Sequence, residues 1–326
     1  MDTYSQLTEL LQNRLKSYSP LPEHEPAQLY DPIRYFLSLG GKRLRPLLAL
    51  IACDLFDENP EKAMPVAMAV ELFHNFSLIH DDIMDNAPLR RGQTTVHEKW
   101  NTSIAILSGD AVLVKAYEEL AKVEAGYLPQ LLNLFNTTAL QVCEGQQYDM
   151  NFETDANISI SNYLHMISLK TAVLLACSLK MGAVTANADN ENAQGLYNFG
   201  KHIGIAFQLK DDLLDVYGDA TKVGKQSGGD IISNKKTFLL LNALQKANTE
   251  QQKELNHWLQ LKKFNTIQKV NAVKKIFDTL HIQKTTEEEI HQHFQQALSH
   301  LQQVNCNEKK KEKLRLYATE LMMRES

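Results

Sequence analysis

Between Pro60 and Pro88 the residues Met64, Met68, Leu72, Phe76, Ile79 and Ile83 recur in steps of four or three, the spacing that lines one face of an α-helix. Pro60 suits the first position of such a helix and Pro88 forbids its continuation, so the helix runs for more than about six turns. Leu7, Leu10, Leu11 and Leu15 repeat the pattern until Ser19-Pro20-Leu21-Pro22 breaks it. Further helical patterns cover about 104–124, 128–152, 161–182, 190–217, 235–247 and 250–280, followed by a polar C-terminal pair. Strand alternation with hairpin signals is nearly absent. The chain is therefore expected to be all-α.

The 326 residues are 44% hydrophobic and 22% charged, enough for a sizeable core, and one helical domain over 1–326 is expected. Lys and Arg number 34 against 39 Asp and Glu, a net charge of −5. No overall basic field exists to hold nucleic acid or an anionic membrane, so an anionic substrate would need local help. Cys53, Cys143, Cys177 and Cys306 are widely separated and read as ordinary thiols of a reducing cytoplasm. The N-terminus has no basic region, and the purest apolar run, Ala172 to Cys177, is too short to cross a bilayer, so neither export nor membrane insertion is inferred. Gly182 to Asn192 and Gly218 to Ser233 read as mobile connections, and Lys309 to Lys313 as a solvated helix face.

Asp81-Asp82-Ile83-Met84-Asp85 and Asp211-Asp212-Leu213-Leu214-Asp215 are the same DDxxD pattern twice. On a helix the first and last aspartates of each lie about 40° apart and one turn along, so their carboxylates project together and repel unless a cation intervenes. Oxygen ligands without a nearby cysteine point to a hard ion, and magnesium completes its shell with water and substrate phosphate. Asp is a mediocre helix former, and deep in a helix its charge gains nothing from the dipole, so local stability does not explain the choice. Removing these six from the 39 acidic residues leaves 33 against 34 basic ones. The excess negative charge is concentrated in the two motifs.

Cations lie around them. Gly40-Gly41-Lys42-Arg43-Leu44-Arg45-Pro46 places Lys42 and Arg45 three apart after a flexible glycine pair, and Pro88-Leu89-Arg90-Arg91-Gly92 puts two guanidiniums just past the first acidic helix, able to fork onto phosphate oxygens. His74 lies two turns before Asp81, and Gln208 shares the stripe of Asp211 and Asp212. Lys170-Thr171 interrupts an otherwise apolar helix, where a polar pair should have a partner. Lys225 and Lys235 flank Gly228-Gly229-Asp230. Together these suggest a metal-bridged polyphosphate site.

The segments GGKRLRP, HDDIMDNAPLRRG, GQQYD, LKTA, FQLKDDLLD and GKQSGGDIISNKKT occur in this order from Gly40 to about Lys236. With them the chain resembles the trans-isoprenyl diphosphate synthases of the polyprenyl synthetase family. That resemblance implies an isoprenoid synthase-like bundle around a deep apolar cavity, with the acidic motifs facing each other at its mouth, and a homodimer. It implies that Asp81, Asp85 and Asp211 bind Mg2+ ions holding an allylic diphosphate, with Asp82, Asp212 and Asp215 in support. Arg90, Lys170, Lys225 and Lys235 would grip the same diphosphate. Lys42, Arg45, His74 and Arg91 would hold isopentenyl diphosphate, with Gly41 offering backbone. Thr171 and Gln208 would face the allylic cation, and Gln146 and Asp149 would line the site. Many members have Pro at Thr94 and Gly at Asn234, and no Pro follows Thr237 here, differences expected to affect loop shape more than chemistry.

The implied reaction is ionisation of the allylic carbon–oxygen bond, attack by the double bond of isopentenyl diphosphate, and proton loss, with the released diphosphate as base. Ser77, four residues before Asp81, lies along the path of the growing chain, while Phe76 is rotated away from it. In the family, aromatic residues at both positions accompany the fifteen-carbon product. Phe at the earlier position alone resembles synthases of the twenty-carbon product, so geranylgeranyl diphosphate is expected before farnesyl diphosphate. One rival is a phosphohydrolase of the HD type, suggested by His80-Asp81, which leaves the second DDxxD unused. A terpene cyclase needs no Lys42, Arg45 or Arg91, and a catalytically silent partner subunit needs no intact aspartates.

Overall fold

The computed structural model describes residues 4–17, 25–155, 157–218 and 228–323. Helices α1 (Ser5–Ser17), α2 (Ala27–Ser38), α3 (Leu44–Asp54) and α4 (Met64–Met84) are followed by a two-stranded hairpin, β1 (Leu89–Arg90) and β2 (Gln93–Thr94). Then come α5 (Val96–Lys99), α6 (Thr102–Leu120), α7 (Leu128–Thr154), α8 (Ile160–Ile167), a π-helical turn (Ser168–Ala172), α9 (Val173–Thr185) and α10 (Asn190–Tyr217). Beyond residue 228 lie α11 (Gly229–Ile232), α12 (Phe238–Lys246), α13 (Thr249–Gln260), α14 (Thr266–Thr279), α15 (Ile282–Gln303) and α16 (Glu308–Met323). The described residues form two compact units, the first within 1–138, 174–197 and 303–314, the second within 139–173, 198–302 and 315–326.

In the first unit α4 packs on α6 and α3, and α6 also on α2. The apolar stripe of α4 understated its role: from Val66 to Phe73 every residue is buried, so its first half is a central helix rather than an amphipathic one. The helix ends at Met84, four residues short of Pro88, after a 3-10 turn (Pro60–Ala63) has opened it. At its C-terminal end Gly109 on α6 lies against His80, whose Nε2 stands 2.3 Å from where a Cβ would be. The second unit has its own apolar core, in which Tyr163, Met166 and Ile167 of α8 meet Leu209, Leu213 and Val216 of α10 and the buried faces of α12 to α15.

Three further sequence expectations change. The pattern at 250–280 is two helices, because Leu261 is extended and Asn265 caps a new start by accepting from the Gln268 amide at 3.1 Å. Gly182 belongs to α9 and not to a loop: a Cβ there would lie 2.1 Å from the Ala49 carbonyl oxygen, so glycine permits a close helix approach. Within the Lys309–Lys313 run, Lys310 is a staple, its Nζ donating to the Asp54 carbonyl and carboxylate at 2.8 and 2.9 Å. One helical stretch, Ile160–Thr185, is long and apolar enough to cross a membrane at mean hydropathy 1.5, and 83% of that window is buried within the protein.

Candidate active site

In the first unit the initial DDxxD occupies the last turn of α4, with Asp85 as its C-cap donating its amide to the Asp81 carbonyl at 2.9 Å. Three carboxylates at the negative end of a helix dipole are placed against local stability. Asp82 is 1% exposed and takes both Nε (2.9 Å) and Nη2 (2.5 Å) of Arg90, whose Nη2 also lies 3.6 Å from Asp81. Burial pushes the Asp82 carboxyl up, against the pull of Arg90. Asp85 is exposed.

Arg90 comes from the hairpin that follows. Leu89 pairs with Thr94 and Arg90 with Gln93, leaving Arg91 and Gly92 as a two-residue turn with φ of 55° and 75°, the left-handed pair that a tight hairpin demands. Arg91 fits there because its guanidinium donates to the Gly40 carbonyl. It passes Gly41, where a Cβ would lie 2.8 Å from its Cζ, and the φ of 134° at that position, which a residue with a side chain rarely adopts, is what favours glycine.

Arg45, in the first turn of α3, brings Nη1 to 3.1 Å from His74 Nε2 on α4. Burial, then Arg45, Arg91, Arg90 and Arg43, hold His74 well below the ordinary imidazole range, so the ring is neutral and accepts from Arg45. Lys42 is exposed. Arginines brought this close to one half-buried imidazole repel one another and call for an anion. Phe76 meets His80 edge-on with centroids 4.7 Å apart and Phe73 at 5.6 Å, while Ser77 Oγ donates to the His74 carbonyl at 2.9 Å.

In the second unit α10 carries the other DDxxD. Asp212 is 3% exposed, accepts from the Tyr163 hydroxyl and from Gln208 Nε2 (3.0 Å), and is pushed up to about 7 by burial and by Asp230. Asp211 is half-buried. The Asp215 carboxylate accepts from the Asp230 amide at 2.9 Å and its carbonyl from the Gly228 amide at 2.7 Å, fixing the start of α11. Lys235 is exposed, its amide donating to the Asp230 carbonyl at 2.8 Å. Lys225 lies outside the described residues.

Lys170 and Thr171 sit in the π-helical turn, a distortion that recurs at functional sites. Lys170 Nζ reaches Asp149 at 2.6 Å and Thr171 Oγ1 donates to Gln208 Oε1 at 3.0 Å. Gln146, one turn before Asp149 on α7, has a buried Nε2 without a hydrogen-bond partner. Two glycines admit the turn: a Cβ on Gly145 would lie 2.3 Å from the Lys170 amide nitrogen, and one on Gly204 2.5 Å from Ala172 Cα. Gly145→Ala is expected to cost about 1–3 kcal/mol in urea unfolding, because backbone cannot yield. Gly126→Ala, with nothing within 4 Å, is expected to stay within about 0.5 kcal/mol.

Residues without an assigned role hold these groups in place. Arg43 bonds Glu71, Tyr163 bonds Asp212, and Lys236 Nζ donates to the Phe152 and Asp155 carbonyls. Asn234 stands at φ 58° with Nδ2 on the Leu259 carbonyl (3.1 Å) and Oδ1 taking the buried Lys269 ammonium (2.5 Å). That left-handed position explains a preference for glycine there and why asparagine is tolerated. Glu71 was detectable as a charge among the apolar residues of α4. Tyr163 and Lys269 carry no sequence signal, since their partners are distant in the chain.

A chain whose described residues are mostly helical and that carries two DDxxD motifs, each backed by basic groups, has the features of a prenyltransferase. The chain matches the polyprenyl synthetase family over residues 26–278 and belongs to it. It is 43% identical over 228 residues to a geranylgeranyl diphosphate synthase of Methanosarcina mazei, covering 69% of this chain and 70% of that one. A solved geranylgeranyl pyrophosphate synthase superposes with a TM-score of 0.94 at 42% identity over the full length of both chains. A polyprenyl synthase of Caulobacter crescentus, solved with calcium and isoprenyl diphosphate, is 25% identical, with a TM-score of 0.86 over 99% of this chain and 95% of that one. The chain is a trans-prenyltransferase that makes short-chain prenyl diphosphates.

Proposed function

We propose that this chain condenses isopentenyl diphosphate head to tail with an allylic diphosphate, using magnesium, and that geranylgeranyl diphosphate is its main product. The arginine cluster around the neutral, half-buried His74, built beside an acidic helix end, carries this reading. Lys42, Arg45, His74 and Arg91 hold isopentenyl diphosphate, and the Gly41 backbone faces it. Arg90, Lys170, Lys225 and Lys235 hold the allylic diphosphate. Thr171 and Gln208 turn oxygen dipoles toward the allylic carbon as it becomes cationic, with the Thr171 proton committed to Gln208. Gln146 and Asp149 line the same side chains' surroundings, Asp149 holding Lys170. Apolar helix faces exclude water from the cation.

The donor set fits a magnesium ion. Asp81, Asp85 and Asp211 offer only hard oxygen. That suits an ion held by one or two carboxylates and completed by water and phosphate. Once bound, it neutralises the leaving diphosphate. Asp82, Asp212 and Asp215 instead brace Arg90, Tyr163 with Gln208, and the turn at Asp230.

The HD-type reading gains no support, because His80 is engaged with α6, its Nε2 3.2 Å from the Ile106 carbonyl oxygen. Exposed Ile106, Leu107, Val114 and Tyr117 on α6, with Leu132 on α7, form an apolar surface suited to a second copy of the chain. We place the homodimer in the cytoplasm as a single synthase domain. Its cysteines are free, and burial pushes the Cys53 and Cys177 thiols up to about 11 and about 12, leaving them inert.

Incubation with magnesium, isopentenyl diphosphate and each short allylic diphosphate, followed by product chromatography, tests the reading. A twenty-carbon diphosphate is expected, and no condensation with any primer would make the chain a silent partner. Arg45→Ala is expected to raise the KM for isopentenyl diphosphate about ten- to hundred-fold, the worth of a charge-assisted phosphate contact, and to change the allylic KM far less. Equal rises for both substrates would refute the division of the cations between two diphosphates.

A further inference from the structure

Arg43 caps the start of α3 at φ 46° and ψ 37°, a region that residues with a side chain rarely adopt. Gly40 and Gly41 before it stand at φ 76° and 134°. Three residues of positive φ within four make a turn that does not hold itself. Two arginines hold it instead. Arg91 donates to the Gly40 carbonyl at one end. At the other, Arg43 donates through Nη2 to the Leu37 carbonyl (2.8 Å) at the end of α2 and through Nη1 to Glu71 in the middle of α4.

Glu71 is 1% exposed and Asn75, 0% exposed, donates to it at 2.8 Å. A buried ion pair is a poor source of stability compared with apolar packing of the same volume, so its use here asks for a positional reason. The reason lies on the same face of α4. His74 and Asn75 follow Glu71 by three and four residues, one helical turn. Lys42 and Arg45 flank Arg43 in the chain, and Arg45 already meets His74. Glu71 also neutralises Arg43.

We propose that the Arg43–Glu71 pair is a positioning device that sets the 40–45 turn against α4 and so orients Lys42 and Arg45 for isopentenyl diphosphate. This rests on the reading of Lys42, Arg45 and His74 as the site of that substrate. Arg43 acts through its neighbours and does not itself touch the substrate.

The test is steady-state kinetics in both substrates, with thermal unfolding, on Arg43→Lys, Glu71→Gln, the double variant and Arg45→Ala. Arg43→Lys keeps the charge and loses the fork, and it decides the matter if Glu71→Gln fails to fold. For both single variants the KM for isopentenyl diphosphate is expected to rise at least about tenfold, with allylic KM and kcat within about threefold of the parent. The double variant is expected to be no worse than the worse single one, as for residues acting as a unit. Should Arg45→Ala leave that KM unchanged, the site reading itself fails. If Arg45→Ala raises it while Arg43→Lys does not, or if Arg43→Lys raises both KM values equally along with a lower Tm, the positioning proposal is overturned and the pair only supports the fold.

Discussion

Alanine at Asp81 or at Asp211 lowers turnover at least about a thousandfold, the rate equivalent of the several kcal/mol that a bound cation contributes to a leaving group. Helix content stays near that of the parent. Asp81 lies in the last turn of α4, where the helix dipole opposes a carboxylate, so its removal relieves that repulsion while Arg90 keeps its fork on Asp82. Asp82 and Asp212 should behave differently. Asp82 carries the Arg90 fork, and Asp212 takes the Tyr163 hydroxyl and Gln208, so alanine there strands buried donors and costs about 1–3 kcal/mol of stability. Product formation, circular dichroism and urea unfolding on the four variants separate the two classes. Near-normal turnover in Asp81→Ala or Asp211→Ala would end the metal assignment.

The long helices were legible because their apolar residues keep a period, as Met64 to Ile83 do in α4 and residues 190–217 do in α10. Where every residue is buried the period disappears. In α3 every residue from Pro46 to Cys53 is buried, so nothing in its spacing marks a face and periodicity does not reveal the helix. Breaks were legible at prolines and missed where a side chain makes them, as at Asn265. The residues proposed for the site were marked in the sequence because carboxylates amid apolar neighbours have no local reason to be there. What holds it was not: Tyr163 is 49 residues from Asp212, and Arg43 is 28 from Glu71. Gly145 and Gly204 are ordinary helix glycines in sequence, and only the Lys170 and Ala172 backbone beside them shows why no larger residue fits.

Ser77→Phe is expected to shorten the main product by one isoprene unit, and Phe76→Ala to lengthen it. Ser77 precedes Asp81 by one turn, about 6 Å down α4 and within about 40° of the same direction, so a chain hanging from a diphosphate at Asp81 passes it. The serine leaves that path open, since its hydroxyl turns back to the His74 carbonyl at 2.9 Å. A phenyl ring cannot fold back in this way and would block the path. Phe76 is rotated about 140° from Asp81, and its ring is packed between Phe73 and His80, with centroids 5.6 and 4.7 Å away. On the proposed reading it would limit the chain from the side rather than as a floor, and its removal would open space beside α4. Lengths are read by chromatography of the dephosphorylated products, with the allylic primer fixed. Two variants that both keep the parent's product would place the floor on residues other than these.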